Sequence, residues 1–333
     1  MYYICDVEPA GPSCCETMPK LAGRFFFIIA CMSEKYKKPY CTPEDHVALL
    51  KSRGLKIEDE KKAISYLTNI GYFRLSAYFY PLLKEPKEEH IYKPEATFKK
   101  VLDMYRFDRK LRLLLFNEIE KIEIAVRSCI VNEGCNFFGD IFWMTNKSNF
   151  FNPVRFDTTL ELIKTELSNS KEDFIVHFKY KYSNPFPPAW MIAEIIPLGT
   201  LCNLYYNIKS MTLRKRVAQK FGLNGDTLKS WLISIGNLRN MCGHHSRLWN
   251  RDIAITPSAP PVPRFPWLRD ISKVNPQKVY YRICILRYLL FSVSPNYTEL
   301  KSKLSALMEK YSTVDIAAMG FPTDWEDEPL WKI

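Results

Sequence analysis

Strand signals are sparse in this chain of 333 residues, and few alternating apolar and polar runs lie between turn residues, which argues against a β-sandwich or barrel. Histidine is scarce, with five in all, and the ten cysteines form no paired CxxC arrangement of the kind zinc sites use, so neither a metal nor another cofactor is expected. Ten are also too few for a small disulfide scaffold. Four of them (Cys5, Cys14, Cys15 and Cys31) fall in the first 31 residues and the other six sit singly in apolar stretches, as reduced core thiols do. The expected compartment is a reducing cytoplasm. No run approaches the roughly 20 apolar residues of a membrane-spanning helix, and there is no internal repeat or low-complexity tract.

The apolar run Phe25-Phe26-Phe27-Ile28-Ile29-Ala30-Cys31-Met32 follows Lys20 and Arg24, as the core of a signal peptide would. A polar, cysteine-rich preamble and the lack of a small-residue cleavage site argue against that. Residues 1–38 are read instead as a non-native or disordered extension, with Met32 as the native start.

What the chain does have is ample core material, 47% hydrophobic and 14% aromatic residues, and a formal net charge of +11 with a pI near 9.0. That balance favours an acidic partner. Nucleic acid comes first and an anionic membrane surface second, beside the bland reading that a basic protein is merely soluble.

Helical signals run almost end to end. Thr42-Pro43-Glu44-Asp45 starts a helix chemically, with a hydroxyl cap, proline at the first helical position and acids at the positive end of the dipole. That helix should stop at Gly54, and a second should begin near Glu58. The aromatic run 71–81 is expected to be a core helix rather than a stacking surface for bases. Residues 84–94 read as a loop, and 97–133 as the longest helix, most of whose charged pairs at four-residue spacing are expected to form solvated faces. After an irregular stretch at 134–153 come helices at 154–167 and 171–180, a buried one at 189–206 kinked near Pro197, and others at 226–238, 276–293 and 297–311, with a proline-dense connector at 258–266. The organisation expected is all-α: a small helical subdomain at 39–94, a larger helical domain at 95–312 and a tail at 313–333 packed on the core.

Chemistry concentrates in Arg239-Asn240-Met241-Cys242-Gly243-His244-His245, which holds two of the five histidines. Helix 226–238 carries Leu228, Trp231, Leu232, Ile235 and Leu238 at three- and four-residue steps, and Arg239 continues inside that apolar stripe. A cation aimed at a core or an interface requires a partner or a function. One acid of Glu118, Glu120 and Glu123 on the long helix is the expected partner, with Glu120 and Glu123 foremost.

The string 239–251, ending Ser246-Arg247-Leu248-Trp249-Asn250-Arg251, resembles the signature of the Abi-like (abortive infection, AbiD/AbiF type) proteins of bacteria. Further blocks carry the resemblance in order: Leu50-Lys51-Ser52-Arg53-Gly54-Leu55, then residues 69–78 beginning Asn69-Ile70-Gly71-Tyr72-Phe73-Arg74, then 105–112 beginning Tyr105-Arg106-Phe107-Asp108, and Met319-Gly320-Phe321-Pro322-Thr323-Asp324-Trp325. The resemblance thus extends from about residue 39 to the last. It implies a HEPN-type helical bundle and a metal-independent RNase of the kind found in the nuclease sites of type VI CRISPR effectors. The family's R-x4-6-H motif falls on Arg239 and His244, with Asn240 as its polar second position, and His245 satisfies the same pattern one residue later.

The residue types suit that reaction. RNA carries its own nucleophile, the 2′-hydroxyl, so cleavage needs a proton carrier and a cation at the phosphate. Histidine exchanges protons near neutral pH, and arginine meets a phosphate with a planar fork of donors. Asn240, four residues before His244, can orient the imidazole or the substrate. Arg247 and Arg251 are candidates for RNA phosphates or simply solvated cations, and Trp249 is expected to pack rather than stack on a base.

Arg239 and His244 stand about 140° apart on a straight helix. Either a break at Gly243 turns the histidines, or two copies of the single motif meet across a homodimer, which the resemblance favours. The reading expected is a cytoplasmic RNase toxin of an anti-phage abortive-infection system, held silent by a noncoding RNA or protein antitoxin. The alternative is a non-catalytic RNA-binding or scaffolding HEPN protein. On spacing alone, Arg239 also fits a buried ion pair, and the histidines fit a cap at a helix end. A membrane-acting toxin using residues 25–32 is a third class.

Overall fold

Thr42 opens the first helix as its chemistry requires, accepting the Asp45 N–H at 3.1 Å while the Asp45 carboxylate accepts the Thr42 N–H at 2.8 Å. The structure is a computed structural model that describes residues 39–333; the expectations for residues 1–38, including the apolar run at 25–32 and Met32, fall outside the described residues. Among the described residues there are twelve α-helices, a few single 3₁₀ turns and no strand, only isolated bridges. The protein is all-α.

The described residues form two compact units that divide between Tyr105 and Arg106. The smaller contains α1 (Pro43–Ser52), α2 (Glu60–Ile70), α3 (Tyr72–Phe79) and the first turns of α4 (Phe98–Phe138). Gly54, at φ 89°, ends the first chain segment where an L side chain would be strained. Tyr72, Leu75, Tyr78 and Phe79 are buried, so the aromatic run is core, though Phe73 is exposed. The division lies beyond the 94/95 boundary read from the loop. The opening of α4 packs its rings into this unit, Phe98 against Phe79 at 5.9 Å and Tyr105 against Tyr78 at 5.8 Å.

The larger unit holds the rest of α4 with α5 (Pro153–Asn169), α6 (Asp173–Lys181), α7 (Ala189–Ile195), α8 (Leu198–Asn207), α9 (Met211–Lys220), α10 (Gly225–Gly243), α11 (Val279–Val293) and α12 (Glu299–Lys310). Helix α4 runs past the expected 133 to 138, because Gly134 lets the Trp143 indole lie against the helix; a Cβ there would come within 2.3 Å of it. The expected helix at 189–206 is two helices, since Pro197 cannot continue the first. Polar, basic α9 carries no broad apolar stripe; only Leu213, Val217 and Ala218 are buried.

Helix α11 is the centre, with twelve of its fifteen residues buried. Two of those are arginines. Arg282 donates to the carbonyls of Pro276 (3.0 Å), Lys278 (3.2 Å) and Ile255, and Arg287 to those of Tyr297 (2.8 Å) and Ile333. Burial pushes the Arg282 pKa down to about 10. The last residues lie on this helix: Phe321 packs on Tyr280 at 4.5 Å, and the Trp331 indole N–H donates to the Tyr280 hydroxyl at 3.3 Å.

Candidate functional site

Helix α10 positions the cluster. Asn224 caps its start, accepting the Thr227 N–H at 2.8 Å, and the helix continues five residues beyond the expected 238 to Gly243. Its buried face comprises Leu228, Trp231, Leu232, Ile235, Leu238, Met241 and Cys242 and packs on α8, α9 and α11. Burial pushes the Cys242 thiol up to about 12.

Arg239 is not buried in that stripe: its side chain is 46% exposed. The flank of α10 from Leu232 to Asn240 borders a cavity of 480 Å³ rather than a packed neighbour, so the guanidinium at its rim stays in water. Three loose contacts hold it. The Nε lies 3.9 Å from Glu123 Oε2, an Nη lies 3.5 Å from Asn240 Oδ1, and the guanidinium sits 5.8 Å from the Phe116 ring centroid. Of the two acids proposed as partner, Glu123 makes the ion pair; Glu120 is exposed and makes none with it. Glu123 is bound more tightly by Arg127, which also donates to the carbonyl of Ile196 at 2.7 Å and to that of Ala193.

One turn on, the helix ends in a two-bond cap. Ser246 N–H donates to the Met241 carbonyl at 2.8 Å and His245 N–H to that of Cys242 at 3.1 Å. The position between them usually belongs to glycine because it is left-handed. Here it is His245, at φ 57°. His244 retains near-helical backbone at φ −87° and is exposed, as is Asn240, whose carbonyl accepts the His244 N–H at 2.9 Å. The helix therefore does end at Gly243, and both histidines serve its cap through their backbones.

The segment after the cap is tied to α4. Asp108, fully buried, accepts the N–H groups of Leu248 at 3.1 Å and Trp249 at 2.8 Å, and pairs with Arg112, which donates onward to the Ser246 carbonyl at 3.2 Å. Most pairs along α4 are expected to be solvated, and this one is an exception. Asp108–Arg112 is interior, and so is Glu118, which accepts from Lys121 at 2.8 Å and from the Tyr297 hydroxyl at 2.7 Å. The signal was present in the four-residue spacing of Asp108 and Arg112, but spacing does not say which face is covered. Trp249 packs as expected, its indole N–H donating to the Asp315 carbonyl at 2.8 Å; Arg247 and Arg251 are partly buried.

The chain matches the family model for Abi-like proteins over residues 65–250, a span that takes in the Arg239 cluster and its Asp108 anchor and ends one residue after Trp249. It belongs to the Abi-like family. The match is narrower than the resemblance read from residue 39 to the last, and leaves out both the 50–55 and 319–325 blocks. No curated protein and no solved structure matches this Abi-like chain.

The structure of this Abi-like protein thus brings Arg239, Asn240 and Glu123 together at a cavity rim and sets His244 at the adjoining helix end. Among the described residues, no group of three or more His, Cys, Asp or Glu is placed to hold a metal ion, and no helix is long and apolar enough to cross a membrane. The six described cysteines are free thiols.

Proposed function

We propose that this protein is a HEPN-type, metal-independent endoribonuclease and the toxin of an abortive-infection system, working in the cytoplasm. The observation that carries the reading is the loosely held Arg239 guanidinium, half in water and next to Asn240 and the helix end bearing His244, all within the family-matched span. A donor fork with a 3.9 Å partner turns readily onto a phosphate.

In the proposed reaction the 2′-oxygen attacks phosphorus and the P–O5′ bond breaks. Arg239 stabilises the charge gathering on the phosphoryl oxygens, and Asn240 orients Arg239 or the substrate. His244, or His245 at the longer spacing, takes the 2′-hydroxyl proton or protonates the leaving 5′-oxygen. One motif supplies one imidazole in a convenient place, so a homodimer with a composite site provides the second proton carrier. Leu113, Phe116 and Ile124 are exposed on α4, and Phe116 lies against the Arg239 guanidinium, which supports such pairing. Arg247 and Arg251 follow the motif and serve as phosphate contacts, and an antitoxin, RNA or protein, restrains the enzyme between infections.

The test is incubation of purified protein with defined RNA in EDTA. Products ending in 2′,3′-cyclic phosphate and 5′-hydroxyl, absent for Arg239→Ala and His244→Ala, are expected. Products with 5′-phosphate ends, or cutting that EDTA stops, would contradict the mechanism; RNA bound but uncut would make the protein a binding module.

A further inference from the structure

Between Glu194 and Asp226 the chain has no acidic residue, and five cations fall in that gap: Lys209, Arg214, Lys215, Arg216 and Lys220. Four of them lie on α9 and Lys209 just before it. Other helices set an acid three or four residues from a surface cation, as in Lys99–Asp103, Lys164–Glu161 and Lys303–Glu299. Helix α9 has no acid to offer. Lys209, Lys215 and Arg216 are exposed and, among the described residues, make no ion pair. Lys220 reaches across to Glu133 on α4 at 3.3 Å, and the Arg216 guanidinium lies 5.5 Å from the centroid of the Phe137 ring. Arg216 and Lys220 are like charges at four-residue spacing, an arrangement that is unfavourable until an anion joins them.

The same contacts place these cations relative to Arg239. Arg239 meets α4 at Glu123, whereas Lys220 and Arg216 meet it at Glu133 and Phe137, ten and fourteen residues further on. At 1.5 Å per residue those steps are about 15 and 21 Å along the helix axis, a span that a few nucleotides cover.

We propose that α9, with Lys209, is a phosphate-binding surface that holds the RNA a few nucleotides away from the bond cut at Arg239. The inference rests on the RNase reading above and deepens it by naming where the substrate is held. RNA carries a negative charge at every nucleotide, and each lysine or arginine that meets a phosphate releases a counterion. An anionic membrane is the poorer fit, because a helix that lies on a bilayer needs a free apolar face and α9 buries its own, Leu213, Val217 and Ala218, in the protein. Contacts of this kind position a strand and do not read its bases.

The test compares two variants of the full chain. Lys209→Gln/Lys215→Gln/Arg216→Gln alters exposed side chains that have no acidic partner and should keep the parent's urea midpoint; Lys147→Gln/Lys164→Gln/Lys171→Gln removes the same charge elsewhere. Binding is read in EDTA over a range of KCl concentrations with a 2′-O-methylated RNA of about 20 nucleotides, which has no free 2′-hydroxyl and is not cut. The α9 variant should lose tenfold or more in affinity, and its plot of log affinity against log salt should be shallower by about 2, at roughly 0.7 per phosphate contact. The control should match the parent. With unmodified RNA, the α9 variant should raise KM for the long strand and leave kcat unchanged, and cleavage of a dinucleotide, too short to reach α9, should not change. Equal losses in both variants overturn the proposal, as does unchanged RNA affinity in the α9 variant, including the case in which that variant loses only binding to phosphatidylglycerol vesicles. If the triple variant does not fold, Lys215→Gln alone decides, its salt slope falling by about 0.7 or not at all. If the parent cuts no RNA yet binds the methylated strand in an α9-dependent way, the RNase reading fails while the phosphate surface stands.

Discussion

The carboxylate of Asp108 accepts the backbone N–H of Trp249 at 2.8 Å, although 141 positions of sequence separate them. With Leu248 N–H and Arg112 as its other partners, this buried acid fixes the path of the chain as it leaves His244 and His245.

Asp108→Ala removes the acceptor and leaves Arg112 interior and unpaired. Breaking a buried pair from one side costs about 3–5 kcal/mol. Urea denaturation should show a loss of that order, larger than for Lys99→Ala, whose ion pair with Asp103 is on the surface. A change under about 1 kcal/mol would mean that the anchor is not what holds the segment.

Arg239 should behave in the opposite way. Its ion pair with Glu123 is long and half-exposed, so Arg239→Ala should shift stability by less than about 1 kcal/mol while lowering RNA cleavage by about 10²-fold or more. Arg239→Lys should not restore cleavage, because an ammonium lacks the planar fork. Loss of stability matching loss of cleavage would instead make the arginine structural.

His245 occupies a left-handed position at φ 57° that glycine fills without strain. His245→Gly should therefore raise the melting temperature, by an amount corresponding to about 1 kcal/mol. With proton transfer assigned to His244, cutting should survive in His245→Gly and vanish in His244→Ala. The reverse pattern would move the role to His245, and would give a reason for tolerating the strain.

Burial pushes the thiols of Cys129, Cys202 and Cys242 up to about 12 from the ordinary 9.0. The folded protein holds these protons more tightly than the unfolded chain. Stability should thus be intact below about pH 9 and fall as pH rises from there towards 12. Iodoacetamide at pH 8 should leave all three unmodified in the native protein and label them in urea, as read by peptide mass mapping. Rapid native labelling of Cys242 would show that the end of α10 opens readily.

Much of the fold was legible in order and type. Thr42-Pro43-Glu44-Asp45, the stripe on α10 and the aromatic run before Pro81 each carry their local physics in adjacent residues, and the family-matched span contains the Arg239 cluster. Less legible were features decided by what a surface meets. The spacing of Arg239 placed it in an apolar stripe, but its flank faces a cavity. The four-residue pair Asp108–Arg112 has the same pattern as a solvated one, yet it lies inside. Gly134 carries no local signal either, because a glycine in a helix acquires meaning only from what lies beside it, here the Trp143 indole.

The sequence by itself therefore determined most of the helices, the Thr42 cap and the clustering of arginine, asparagine and histidine, since periodicity and capping depend on residues within a turn or two of one another. Only the tertiary structure decided which acid meets Arg239, which charges are buried and where space is left open. Those depend on contacts between segments more than a hundred residues apart, and no local pattern encodes them.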